Sequence, residues 1–340
     1  MLMRIAAACA VVVRTTMAAN AQSDQSEVTI GPAYSRAPEL DTAAGVPAGA
    51  LHAFVLQSTE SEFYPGIRRL ENDVTKRRDA YGNRIAAAEA EQSAPSPYMR
   101  TVWVYVPKQY VAGTAAPFIV VQDGYGYARI MPRVLDNLIA AGRIPALVAV
   151  FVDNGGGDAQ GSERGLEYDT LSGRYSDFIE SEVLPRVEKA YGVTLTADPQ
   201  GRATMEASSG AAAAFTMAWF HPERYRRVLS YSGTFVNQQS PPNPESPRGA
   251  WEYHAAILPD AARKPLRIWL EVGEKDLHFD DPEESWHNWP LANARMAAVL
   301  KAKGYDYRYV LAKGAVHVDP RVTEETLPGA LEWLWRGYAR

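Results

Sequence analysis

The residues best placed to do chemistry lie in Arg202-Ala203-Thr204-Met205-Glu206-Ala207-Ser208-Ser209-Gly210-Ala211, a strand running into a sharp turn with serine at its apex. Small residues on both sides let the strand and the following helix approach closely, which holds the hydroxyl out over the sheet edge as in a Gly-x-Ser-x-Gly elbow. Ser208 is the preferred nucleophile, in the frame Glu-Ala-Ser-Ser-Gly. Ser209, in the frame Ala-Ser-Ser-Gly-Ala, is held in reserve, and a bare helix N-cap is the structural alternative. A serine hydroxyl is a poor nucleophile until an imidazole takes its proton, and the imidazole needs a carboxylate to fix its tautomer and stabilise its charged form.

Both partners follow in the order such sites require. Leu266 to Val272 reads as a strand, with Asp276 on the turn after it. Tyr307 to Leu311 alternates as another strand, and Gly314-Ala315-Val316-His317 follows in a loop before a closing helix from about Thr326 to Tyr338. Asp276 is the candidate acid and His317 the candidate base. An oxyanion also needs donors. One is the backbone N–H of Ser209; the second is that of Tyr125, with Gly124 as alternate, on the turn after the strand Phe118 to Gln122. The same glycine turn can simply join strand to helix.

From about Val46 to the C-terminus the chain resembles the putative-esterase branch of the α/β-hydrolases, which includes enterochelin esterase, esterase D, feruloyl esterases and mycolyl transferases. The resemblance rests on Trp103-Val104-Tyr105-Val106-Pro107, Gln122-Asp123-Gly124, Arg164-Gly165-Leu166-Glu167-Tyr168-Asp169, Ser208-Ser209-Gly210, Asn288-Trp289-Pro290-Leu291-Ala292-Asn293 and Leu331-Glu332-Trp333-Leu334-Trp335. It implies an α/β fold with a mostly parallel central sheet covered by helices on both faces, and a triad of Ser208, Asp276 and His317. It also implies an ester of a sugar, a phenolic acid or a siderophore as substrate, with no cofactor. An acyltransferase is the nearest enzymatic rival, since an alcohol can intercept the same acyl-enzyme.

Glu206 departs from that pattern, standing where the first glycine of the elbow belongs. A long side chain there is expected either to splay the elbow or to drive its carboxylate into a tight, partly buried space. On that reading turnover starts low, Glu206→Gly raises kcat more than it changes KM, and a weakened, hydrolase-like binding protein is the rival of a different class.

The elements needed to position these residues alternate along the chain. Strands are expected at Leu51 to Gln57, Thr101 to Val106, Ala146 to Val152 and Val228 to Tyr231, and helices at Ala211 to Phe220, Tyr175 to Tyr191 and Leu291 to Lys303. With 340 residues, 46% hydrophobic and 22% charged, one catalytic domain over residues 46–340 is sufficient. A net charge of −5 favours neither nucleic acid nor an anionic membrane. Oligomeric state is left open. Arg4, the apolar run Ile5 to Val13 and Ala19-Asn20-Ala21 read as a leader over residues 1–21, so secretion or periplasmic export is expected, and residues 22–45 read as a polar lead. The one cysteine, Cys9, falls in that leader, which excludes thiol chemistry in the remainder. No segment beyond it is apolar enough to span a membrane.

Several stretches could shape a pocket. Arg164, Glu167 and Tyr168 either position polar groups of the substrate or form a structural ion pair. Trp289, with Trp251, Tyr253 and Trp286, suits an aryl or sugar ring, or serves packing. The proline-rich Gln238 to Gly249 reads as a rigid loop or lid, and the glycine-rich Asn154 to Gly161 as a loop beside the site. His278, Asp280, Asp281, Glu283, Glu284 and His287 match no compact metal motif, and no metal is assigned.

Overall fold

Runs such as Phe118-Ile119-Val120-Val121-Gln122 and Val148-Ala149-Val150-Phe151-Val152 are apolar without alternation, the pattern of parallel strands covered on both faces. The computed structural model describes residues 26–86, 91–157, 162–239 and 242–338. Nine strands form its main sheet: β1 (Glu27–Ile30), β2 (Ala50–Gln57), β3 (Met99–Val106), β4 (Phe118–Gln122), β5 (Val148–Val152), β6 (Arg202–Ala207), β7 (Arg227–Tyr231), β8 (Arg267–Gly273) and β9 (Asp306–Ala312). Their spatial order is β1-β9-β8-β7-β6-β4-β5-β3-β2. Pairings from β1 through to β5 are parallel, whereas β3 runs antiparallel to both β5 and β2.

Helices cover both faces. They include α1 (Gly124–Ala128), α2 (Met131–Ala140), α3 (Glu163–Tyr168), α4 (residues 174–191), α5 (Ser208–Phe220), α6 (Trp289–Ala302) and α7 (Pro320–Trp335). α4, α5 and α6 pack with Val120, Val150 and Ile268 in one core; α2 and α7 pack with Ile119, Val121, Phe151 and Trp269 in the other. α5 is buried nearly all round, and its Ala211–Ala214 run lets it sit close to β6 and β7.

Four expectations need correction. The polar lead at 22–45 is not outside the catalytic domain, because Val28 and Ile30 belong to β1, an edge strand paired with β9. α7 starts at Pro320 rather than Thr326. Asp319 caps its N-terminus through the N–H of Arg321, and Pro320 sits at a first-turn position where a missing N–H costs nothing. The expected helix 175–191 carries a π-helical turn at Ile179–Val183, just before Pro185, which has no N–H to give. The charged stretch Arg68-Arg69-Leu70-Glu71 reads from its composition as solvated surface, yet Ile67–Leu70 pairs antiparallel with Gln92–Pro95. The expected leader lies outside the described residues, and the glycine-rich and proline-rich loops are each described only in part. No helix among the described residues is long and apolar enough to cross a membrane.

Candidate active site

Ser208 follows directly on β6 and opens α5 with φ of 57°, the left-handed region that an L-residue enters only at a cost. The strand thus ends, the chain reverses, and the hydroxyl is left at the C-terminal edge of the sheet. Its Oγ lies 2.9 Å from His317 Nε2. The other ring nitrogen, Nδ1, lies 2.5 Å from Asp276 Oδ1, which also accepts the N–H of Leu277 at 2.7 Å. With Nδ1 donating to the carboxylate, Nε2 is the acceptor that faces the hydroxyl. Asp276 and His317 leave the ends of adjacent strands β8 and β9, while Ser208 leaves β6. Ser209, by contrast, is buried, and its N–H sits in the first turn of α5, where backbone donors have no intrahelical acceptor.

The turn after β7, the strand between them, supplies two residues that sequence reasoning missed. Val318 donates its N–H to Ser232 Oγ at 2.9 Å, which ties down the loop of His317. Thr234 donates its N–H to the carbonyl of Ser208 at 3.1 Å, and its Oγ1 is 3.5 Å from Ser208 Oγ. The available signal was topological: the turn after a strand lying between nucleophile and acid must border both.

The loop after β4 is fixed from three sides. Asp123 takes φ of 45° and donates its N–H to Tyr168 Oη at 3.1 Å. Its carboxylate accepts Arg164 Nε and Nη2 at 2.8 and 2.6 Å, and Asn154 Nδ2 at 2.5 Å. Gly124 is required here, because a Cβ would lie 2.6 Å from the carbonyl carbon of Phe151 and 2.7 Å from the nitrogen of Val152. The Tyr125 N–H donates to Asp153 Oδ1 at 3.2 Å, and burial raises the pKa of that carboxyl.

The substrate-binding expectation for three residues therefore changes. Arg164 and Tyr168 hold the Asp123 loop. Glu167 has a side chain with no exposed surface; it is bound by Arg100, by Tyr98 Oη at 3.0 Å and by the N–H of Gly155 at 3.2 Å, so it forms a structural ion pair. Trp289 is buried too, its ring edge-on to His317 and stacked with His278, both at 5.9 Å between centroids. It backs the imidazole instead of lining an open pocket. Trp251 and Tyr253 belong to the core. Large apolar side chains face solvent on the segments carrying these groups: Tyr125, Leu277, Phe279 and Val316 are each more than two-fifths exposed.

Glu206 takes the second of its two expected courses. The elbow is intact, and the side chain is buried between β6 and α5, with Oε2 accepting the N–H of Ala207. Burial, and then the nearby charge of Asp123, push its pKa well above the ordinary carboxylate range. Of the acidic run after Asp276, His278 pairs with Asp281 and Glu283 with Arg295, while His287 Nε2 meets the carbonyl of Asn237 at 2.8 Å. Among the described residues no group of three or more His, Cys, Asp or Glu side chains could hold a metal ion.

A family model described as Putative esterase matches residues 94–318. Among solved structures, the enterobactin esterase of Shigella flexneri is 23% identical with a TM-score of 0.54, covering 71% of this chain and 57% of that one. This chain thus spans little more than half of that relative's length. The feruloyl esterase module from Clostridium thermocellum, solved with sinapinate, is 16% identical with a TM-score of 0.53 and covers 93% of this chain and 97% of that one. At these identities the likeness establishes the fold. No curated protein matches.

Proposed function

This chain belongs to the Putative esterase family, and we propose that it is a serine carboxylic-ester hydrolase working through an acyl-enzyme on Ser208. The observation that carries this reading is the continuous relay from Ser208 Oγ through His317 to Asp276, with steps of 2.9 and 2.5 Å. Ser208 Oγ attacks the ester carbonyl carbon while His317 Nε2 takes its proton, and Asp276 stabilises the imidazolium. The oxyanion forms beside the N–H of Ser209 at the positive end of α5, with the N–H of Tyr125 as the second donor, turned from Asp153 toward the substrate. His317 then protonates the leaving alkoxide, and water enters by the reverse sequence.

An aromatic acyl group is the favoured substrate, because the exposed Tyr125, Leu277, Phe279 and Val316 offer apolar surface on the loops carrying the reacting groups. A fluorophosphonate should label Ser208, and Ser208→Ala should abolish both labelling and p-nitrophenyl acetate turnover. Feruloyl esters should be cleaved faster than acetyl sugars or catecholate siderophore esters. Added alcohols that divert the product would mark a transferase. Wild-type protein that stays unlabelled sinks the reading. We also propose export, with the mature chain beginning at Gln22; N-terminal sequencing of protein from the native host that returned Met1 would refute this.

A further inference from the structure

The place of the elbow's first glycine is taken by Glu206, and its last glycine, Gly210, lies directly against the intruding side chain. A Cβ at position 210 would sit 2.5 Å from Glu206 Oε2, 2.9 Å from its Cγ and 3.0 Å from its Cβ. The two far atoms could swing aside, but the Cβ is fixed to the strand. The missing side chain at 210 is therefore the space that the side chain at 206 fills. Pairing of β6 with β4 ends at Met205 opposite Val121, two residues short of Ala207. Past that point Glu206 Oε2 supplies an acceptor for the N–H of Ala207, the residue that leads into the nucleophile. Asp123 on the oxyanion loop, Arg164 on α3 and Tyr127 on α1 are the charged and titratable groups whose fields reach the carboxyl.

We propose that Glu206 and Gly210 act as a matched pair that positions the elbow, Glu206 filling the gap and capping the strand end so that Ser208 is held at its hydrogen-bonding distance from His317. Glu206 is in this view a positioning residue and not a defect, the opposite of the expectation that glycine improves the site. The pair is a swap of volumes across the strand–helix contact. A chain with small residues at both places would have a void and would lack the Glu206 acceptor for the Ala207 N–H; one with large residues at both would collide.

The inference rests on Ser208 being the nucleophile, so wild-type labelling by a fluorophosphonate is measured alongside kcat and KM on p-nitrophenyl acetate, with thermal unfolding as a check on folding. Because a misplacement of about 1 Å can cost roughly a hundredfold in rate, Glu206→Gly should lower kcat by about tenfold or more with KM within about twofold. Glu206→Gln, which keeps shape and an acceptor, should stay within about threefold of wild type. Gly210→Ala should cost more in the wild-type background than in Glu206→Gly, where the space is open; this coupling is a readout that general destabilisation would not produce. Equal or higher kcat for Glu206→Gly, a Gln variant as impaired as Gly, or the same cost of Gly210→Ala in both backgrounds would overturn the inference. An unlabelled wild type would instead remove the nucleophile reading on which it stands.

Discussion

Two of the buried carboxyl groups, Glu167 and Glu206, are treated by the chain in opposite ways. Glu167 meets a guanidinium: Arg100, equally buried, contacts both its oxygens, and Tyr98 and Gly155 add donors. Among the described residues no cation is bonded to Glu206, the nearby Arg164 being engaged by Asp123, and burial pushes its pKa well above the ordinary carboxylate range. Taking a charge out of water costs several kcal/mol per ion, and that cost is offset either by a close opposite charge or by neutralisation. The first device ties two distant segments together rigidly; the second leaves a compact filler whose ionisation burial opposes, two residues from Ser208.

Breaking the ion pair should therefore have the largest effect on stability. Arg100→Met leaves the Glu167 carboxylate buried without its partner and should cost about 3–5 kcal/mol in urea denaturation, with much of the loss recovered in Arg100→Met/Glu167→Gln. A loss under about 1 kcal/mol would erase the distinction between the two carboxyls.

A smaller, pH-dependent effect sharpens the other side. Glu271, buried on β8, resembles Glu206: burial, and then the charge of Asp276, raise its pKa well above the ordinary 4.5. The native state keeps this proton while the unfolded chain releases it above about pH 4.5, so the unfolded state binds fewer protons and stability falls as pH rises toward the native pKa. Glu271→Gln removes the titration. The difference in midpoint temperature between Glu271→Gln and wild type should thus shift in favour of the variant as pH is raised from 4.5 toward neutrality. A difference flat across that range would show that the carboxyl is not held neutral.

Much of this was legible in the chain itself. Asp276 and His317 could be placed because parallel strands announce themselves as apolar runs, and the turns at their C-terminal ends all reach one edge. β1 was not legible, since four residues of half-buried strand carry too little periodicity to stand out from a polar lead. Pro320 disguised the start of α7, because proline reads as a breaker while the first turn tolerates it. Ser232 and Thr234 have no motif of their own and matter only through the strand order. The match of Glu206 to Gly210 was hidden for a similar reason: each residue looks irregular alone, and only the strand–helix contact shows that one irregularity makes room for the other.

The pairing of β1 with β9 carries a consequence for how the molecule is built. Glu27–Ile30 lies beside residues Tyr309–Ala312, so the first strand of the sheet finds its place only against the last. Contacts of such long sequence separation form late and slowly, after the loop-closure entropy between them has been overcome. The segment bearing His317 follows β9 by only a few residues. A chain emerging from its N-terminus can assemble β4, β5 and β6, with Ser208 at the edge, well before the imidazole arrives. The nucleophile is thus laid down early and stays inert until the segment bearing His317 has been made and β9 has formed.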